Sequence, residues 1–202
     1  MTSEQVFRAA LAFVILLFLP IGVYFRRKAA ATGERISHKD EGYLFATVLR
    51  LCGVLLWISV LAYLIRPASI AWAAMPLPEF LRWCGIALAI SGSGLMYWTL
   101  RNLGGNLTDT VVTRSNATLV TNGPYRWVRH PFYFTAALTM AAVTLLSANA
   151  CIGICSALVM TLLVVRTPKE EQRLIDKFGQ AYVDYSAKTG RFFPRLRPKV
   201  LS

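Results

Sequence analysis

The chain is 202 residues long, 55% hydrophobic and only 16% charged, with a formal net charge of +12 and a mean hydropathy of +0.49. A soluble domain carries about a quarter charged residues, so the composition excludes an ordinary soluble protein and points to lipid. The basic charge flanks apolar segments instead of forming one patch, which argues against a nucleic-acid partner and for a membrane surface.

Apolar stretches approaching the roughly 20 residues needed to span a bilayer recur along the chain. The first, Ala9–Phe25, is followed by Arg26, Arg27 and Lys28 and preceded only by Arg8. A cleaved signal peptide carries its cations ahead of the apolar core, so this segment is predicted to be a retained anchor. The second, Tyr43–Ile65, contains Arg50, for which snorkelling to the interface and a functional contact are equally compatible. The third, Phe80–Leu100, places Gly85, Ala89 and Ser93 four residues apart, a ridge of small side chains suited to close helix packing. Its Gly92-Ser93-Gly94 follows no strand and carries no nucleotide fingerprint. With no strand–glycine-turn–helix pattern elsewhere, a soluble Rossmann domain is excluded.

The last two stretches, Phe132–Leu146 and Ala150–Val165, are separated only by Ser147-Ala148-Asn149 and predict a tight helical hairpin. Beyond it, Leu174, Ile175, Phe178, Tyr182 and Tyr185 recur at helical spacing and predict an amphipathic helix over 169–186. The expected fold is an all-α integral membrane protein with five transmembrane helices, the last two a hairpin, and a C-terminal amphipathic helix. Residues 1–100 read as a three-helix scaffold and 101–202 as the functional core.

If five spans alternate, eighteen of the 22 cations fall on one side. The excess of positive charge on cytoplasmic segments then places the N-terminus outside and the C-terminus in the cytoplasm. Cys52, Cys84, Cys151 and Cys155 all lie in predicted spans without a metal-like spacing of further ligands, so they read as buried thiols and no metal is expected.

Chemistry concentrates at the two ends of the hairpin, which must return to one membrane face. Pro131 suits a first helical turn, which puts His130 at the N-cap or just before it, where backbone donors favour an anion. Arg126 and Arg129 stand nearby, so a carboxylate or phosphate is one reading. An interfacial belt of Tyr125, Trp127 and Tyr133 with lipid-facing arginines is the other. At the exit, Thr167, Pro168 and Glu170 match a capping box. Alternatively, Arg166 and Glu170, one turn apart, present a cation and an anion to a ligand.

The block Leu119-Val120-Thr121-Asn122-Gly123-Pro124-Tyr125, then Arg129-His130-Pro131-Phe132-Tyr133, an uncharged hairpin, Arg166, Glu170-Glu171, Leu174, Phe178-Gly179, Tyr182 and Tyr185 resembles the isoprenylcysteine carboxyl methyltransferase family. The resemblance covers roughly the C-terminal half. It implies an integral membrane enzyme that uses S-adenosylmethionine (SAM) without a Rossmann fold, which agrees with the missing glycine fingerprint. It also implies cofactor contacts at Ala117, Thr118, Leu119, Val120, Tyr125, His130, Pro131, Phe132, Tyr133 and Glu170, with Thr110 as a further candidate. Arg166 would be the substrate-side arginine, and Arg166 with Glu170 the catalytic pair. Thr135 stands where relatives often carry glycine, which bears on the shape of the cavity.

The implied reaction transfers a methyl group to a lipid-like or prenylated acceptor. A carboxylate acceptor is already ionised near neutral pH and needs no general base, so positioning supplies much of the rate. An amine or thiol acceptor would need a proton acceptor, for which Tyr133, Glu171 and His130 are the candidates. A related fold serves sterol reductases, a more distant match to the C-terminal pattern. A non-enzymatic lipid-binding scaffold is the remaining alternative.

Overall fold

A computed structural model describes residues 2–30, 43–106 and 117–195. Among them are six α-helices: α1 (Ser3–Ala30), α2 (Tyr43–Ile65), α3 (Glu79–Leu103), α4 (Pro131–Ser147), α5 (Ala150–Phe178) and α6 (Gln180–Lys188). Short 3-10 turns lie at Pro67–Ala73, Gly104–Asn106 and Gly123–Arg126. The architecture is all-α. The helices α1, α2, α3 and α5 are each long and apolar enough to cross a membrane, while α4, with 17 residues, is shorter.

Phe7, Leu11 and Val14 of α1 pack with Val60 and Tyr63 of α2, Ala89 of α3, Ala142 and Leu146 of α4 and Ile152 of α5 in one buried cluster. Much of the remaining apolar surface faces outward, with Leu16, Leu44, Ile58 and Ile90 well exposed. That is the inverse of a soluble fold and suits a lipid surround. The small-residue ridge of α3 is buried as expected: Gly85, Ala89, Gly92 and Ser93 all face inward. A Cβ on Gly85 would approach Leu145 Cβ and Leu146 Cγ to 3.1 Å, so α4 rides directly on this stripe.

The end of the bundle away from the α4 N-terminus is clamped by a polar network that the sequence pattern did not announce. Arg82 at the start of α3 donates from Nη1 to Glu4 Oε2 (2.7 Å) and from Nε and Nη2 to the Leu146 carbonyl (3.2 and 2.7 Å). Its Nη2 also reaches Tyr63 Oη (3.1 Å), which donates to Glu4 Oε1 (2.5 Å). The guanidinium sits 4.1 Å from the centre of the Phe7 ring. One buried cation thus ties α1, α2 and α3 to the C-terminal end of α4, whose terminal carbonyls carry partial negative charge.

The hairpin turns where expected. Ser147 ends α4, Ala148 takes a left-handed conformation (φ 44°), and its N–H returns to the Thr144 carbonyl. Asn149 then caps α5, its Oδ1 accepting from Ile152 N (3.3 Å) while its Nδ2 donates to Ile70 O (2.9 Å).

The C-terminal region departs from expectation. No separate amphipathic helix covers 169–186; α5 runs unbroken from the hairpin to Phe178, and α6 starts after Gly179. Thr167 and Glu170 form no capping box, because Thr167 lies inside α5 and its Oγ1 donates to Leu163 O (3.2 Å). The helix continues through Pro168, with the Arg166–Glu170 pair spanning the same turn. The break comes instead at Gly179, whose φ of 56° favours a residue without a side chain.

Candidate functional site

The site forms where the entrance of the hairpin meets the extension of α5 beyond its continuous apolar run, which ends at Val165. Pro131 opens α4 with His130 as N-cap, as the sequence predicts. The amides of Tyr133 and Phe134 both donate to the His130 carbonyl (3.1 and 3.4 Å), so those two helix-start donors are satisfied locally and do not wait for an anion.

Tyr133 Oη donates to Glu170 Oε1 (2.6 Å), and the same oxygen accepts from Arg166 Nε (2.8 Å) and pairs with Nη2 (2.7 Å). The two ends of the hairpin are therefore joined through one carboxylate. The His130 ring stacks on Tyr133 at 5.4 Å with 8° between planes. His130 Nδ1 stands 3.7 Å from Glu170 Oε2, and Nε2 3.4 Å from Glu171 Oε1. Nε2 is buried and, among the described residues, makes no well-formed hydrogen bond.

Glu171 faces the other way along α5. Its Oε1 accepts from Arg129 Nε (2.8 Å) and its Oε2 from Arg191 Nη2. Burial opposes ionisation, but the nearby His130 ring and the Arg191 and Arg129 guanidinium donors outweigh it and hold the carboxyl well below the usual carboxylate range. Glu171 is thereby a poor proton acceptor. Arg129 also donates from Nη1 to the Ser186 carbonyl (3.0 Å) and to that of Thr189. It is an internal tie and not an anion receptor.

The structure also sorts the aromatic rings. Trp127 is half exposed, covered by Arg126 at 4.7 Å and edge-on to Trp98, as an interfacial belt requires. Tyr125 and Tyr133 are buried and are not part of such a belt. Tyr185 Oη donates to the Tyr125 carbonyl (2.6 Å), fixing α6 on the loop before α4. Burial pushes the Tyr185 phenol up to about 12 and raises Tyr125 and Tyr182 as well, so all three stay protonated near neutrality.

Of the residues implicated by sequence, His130, Tyr133, Arg166 and Glu170 converge. Pro131 is buried at the helix start, and Phe132 packs toward Phe25, Met96 and Leu100 on the scaffold side. Ala117, Thr118, Leu119 and Val120 form a segment without regular secondary structure. It is pinned by Asn106, whose Nδ2 donates to Thr118 O (3.0 Å) and whose Oδ1 accepts from Thr118 N (3.3 Å). Thr110 lies outside the described residues. Thr135 is fully buried, its Oγ1 donating to Phe132 O (2.7 Å) and contacting Met96 Sδ (3.4 Å). Its extra bulk is thus absorbed against α3. Sequence reasoning missed Asn106, the Arg129–Glu171–Arg191 tie and the Phe192 ring; Arg191 had counted only as one more cation beside the membrane.

Residues 85–176 match the Isoprenylcysteine carboxyl methyltransferase (ICMT) family. Over these residues the chain is similar to that family. The rat Protein-S-isoprenylcysteine O-methyltransferase (Rattus norvegicus) is 29% identical over 132 residues, 64% of this chain and 46% of the relative. The Cobalt-zinc-cadmium resistance protein CzcN of Cupriavidus metallidurans is 31% identical over 83 residues, 41% of this chain and 38% of the relative. The chain therefore spans less than half the length of these two curated relatives. The solved structure of a eukaryotic intramembrane Ras methyltransferase ICMT shares the fold, with a TM-score of 0.54 at 23% identity, covering 90% of this chain and 67% of that one.

Proposed function

We propose that this chain is an integral membrane methyltransferase that transfers a methyl group from SAM to a lipophilic acceptor, by carboxyl O-methylation of an isoprenylcysteine-like substrate. The observation that carries this reading is the single carboxylate, Glu170, that joins Tyr133 at the hairpin entrance to Arg166 at its exit. In this reading the chain crosses the membrane five times, its site face is cytoplasmic, and residues 101–202 form the catalytic unit on a scaffold of residues 1–100.

The residues present fit the cofactor's chemistry. Glu170 offers a carboxylate to an ammonium, Arg166 a guanidinium to a carboxylate, and His130 brings a buried nitrogen without a well-formed hydrogen bond. SAM supplies, when bound, a methyl group on a cationic sulfur. The chain's own part is positioning: Glu170 holds the cofactor's charged end, Tyr133 fixes Glu170, and Arg166 orients the acceptor carboxylate by a charge-assisted bond. Combination of an anion with a cation to give neutral products is assisted by a site set against the low-dielectric bilayer.

An amine or thiol acceptor would have to shed a proton. Glu171 is committed to Arg129 and Arg191, and Tyr133 donates to Glu170, so of the three candidate proton acceptors only His130 is left for such a substrate, whereas a carboxylate needs none.

The test is incubation of the purified protein in nanodiscs with methyl-labelled SAM and an S-prenylated cysteine. Base-labile label in the lipid fraction indicates an ester, and base-stable label an amine or thioether product. Removal of one charge-assisted contact by Arg166→Ala lowers kcat/KM by about ten- to a hundredfold, equivalent to about 1.5–3 kcal/mol. Absence of calorimetric SAM binding by folded protein would leave the lipid-binding scaffold in its place.

A further inference from the structure

The residues after α6 lie beyond the family-matched segment, which ends at 176, yet they bind back onto the site. Gly190 N donates to Trp127 O (3.1 Å) and Gly190 O accepts from Arg129 N (2.8 Å), while Arg191 O accepts from His130 N (3.0 Å). This makes a short parallel pairing of residues 190–191 with 127–130. Arg191 reaches Glu171 with its side chain, and Arg195 Nη1 donates to Ala187 O (2.6 Å). Phe192 lies 5.9 Å from the His130 ring and 6.3 Å from the Tyr133 ring, tilted to both.

The strap turns so tightly that a Cβ on Gly190 would fall 1.6 Å from the Phe193 carbonyl oxygen. Backbone must move if any side chain is placed there, so the return of Phe192 over the two rings depends on this glycine.

We propose that the strap 189–193 is part of the cofactor site, with Phe192 a positioning residue that fixes the His130 and Tyr133 rings and thereby sets SAM affinity. The inference rests on the methyltransferase reading. Three constraints support it. The N-cap amide of His130 has its partner in the strap, the carboxylate next to Glu170 is tied to the strap through Arg191, and the stacked pair is covered by the strap's ring. A rotamer-rich site pre-ordered in this way binds its ligand with less loss of conformational freedom. Phe192 is half-buried and Phe193, edge-on to Phe134, is 70% exposed, so the first ring faces the site and the second faces outward.

The experiment measures SAM affinity by calorimetry in nanodiscs for the wild type, Phe192→Ala and Phe192→Leu, and then KM for SAM and for an S-prenylated cysteine. Loss of two ring contacts predicts SAM affinity about tenfold weaker in Phe192→Ala. KM for the prenylated acceptor stays within twofold, and Phe192→Leu recovers part of the loss. Wild-type binding with unaltered affinity in folded Phe192→Ala overturns the role of Phe192. No SAM binding by the wild type overturns the methyltransferase reading itself, and the two failures are thus distinct. As a second variant, Gly190→Ala is followed by amide exchange. Faster exchange at Val128, Arg129 and His130, with α1–α3 unaltered, supports the strap as the lock on the loop. Exchange equal to wild type overturns that lock whatever the cofactor.

Discussion

Tyr133→Phe is the sharpest probe of the site, because it deletes one oxygen and spares the ring. The lost contact is the 2.6 Å hydrogen bond from Tyr133 Oη to Glu170 Oε1. The stack on His130, 5.4 Å between centroids, has no need of the hydroxyl and is retained. A hydrogen bond to a charged group contributes about 1.5–3 kcal/mol. Here the same oxygen keeps two guanidinium contacts from Arg166 at 2.8 and 2.7 Å, so the carboxylate is not stranded and the lower end applies. A loss of about 1.5 kcal/mol is about tenfold in rate. The assay is methyl transfer to an S-prenylated cysteine at sub-saturating SAM, read as kcat/KM, with thermal unfolding as the control for folding. If Glu170 holds the cofactor, the loss falls mostly in KM for SAM. A folded Tyr133→Phe protein within twofold of wild type would remove the Tyr133–Glu170 bond from the mechanism and leave it a packing contact.

Further expectations follow from the scaffold and from Glu171. Because its folded-state carboxyl is depressed, Glu171 contributes stability that is fully present above the unfolded value near pH 4.3 and lost only as pH falls through the lower folded value. Glu171→Gln therefore lowers the unfolding midpoint at pH 7, and the gap to wild type closes only in strong acid; equal midpoints at pH 7 would refute the tie. Gly85→Val forces bulk into contacts already at 3.1 Å and costs about 1–3 kcal/mol through overpacking of α3 on α4. Detergent thermal melts check this, and an unaltered midpoint would show that the helices separate freely.

The positions of the helices were legible because long apolar runs have few alternatives in lipid. The hairpin turn was legible because Ser147-Ala148-Asn149 is the only interruption between two such runs. The end of α5 was not, since Pro168 preceded by Thr167 gives the same local signal for a helix start as for a proline tolerated inside one. In the structure α5 runs through that proline to Phe178. Spacing alone left the Arg166–Glu170 pair open between a helix start and a ligand contact, and the motif resemblance grouped it with Tyr133 and His130, which the fold brings beside it. Arg129, open in the sequence between an anion contact and a lipid-facing position, is an internal tie, and its partners Glu171, Ser186 and Thr189 lie 42 to 60 residues away. Long-range pairing of this kind has no periodicity to reveal it. Arg82 was hidden for the same reason, with partners at Glu4 and Leu146.

The shortness of α4 has a consequence for where the reaction meets the bilayer. At 1.5 Å per residue its 17 residues rise about 26 Å, whereas the hydrocarbon layer is about 30 Å thick. The far end is fixed, because Arg82 holds the Leu146 carbonyl at the level of the α1 and α3 starts. The shortfall is therefore felt at the His130 end, where either the lipid thins or the mouth of the hairpin sits a few ångströms below the headgroups. On the proposed reading, a lipid-anchored head group would rise only part of the way out of the membrane to reach Arg166, and membrane thickness would set how far.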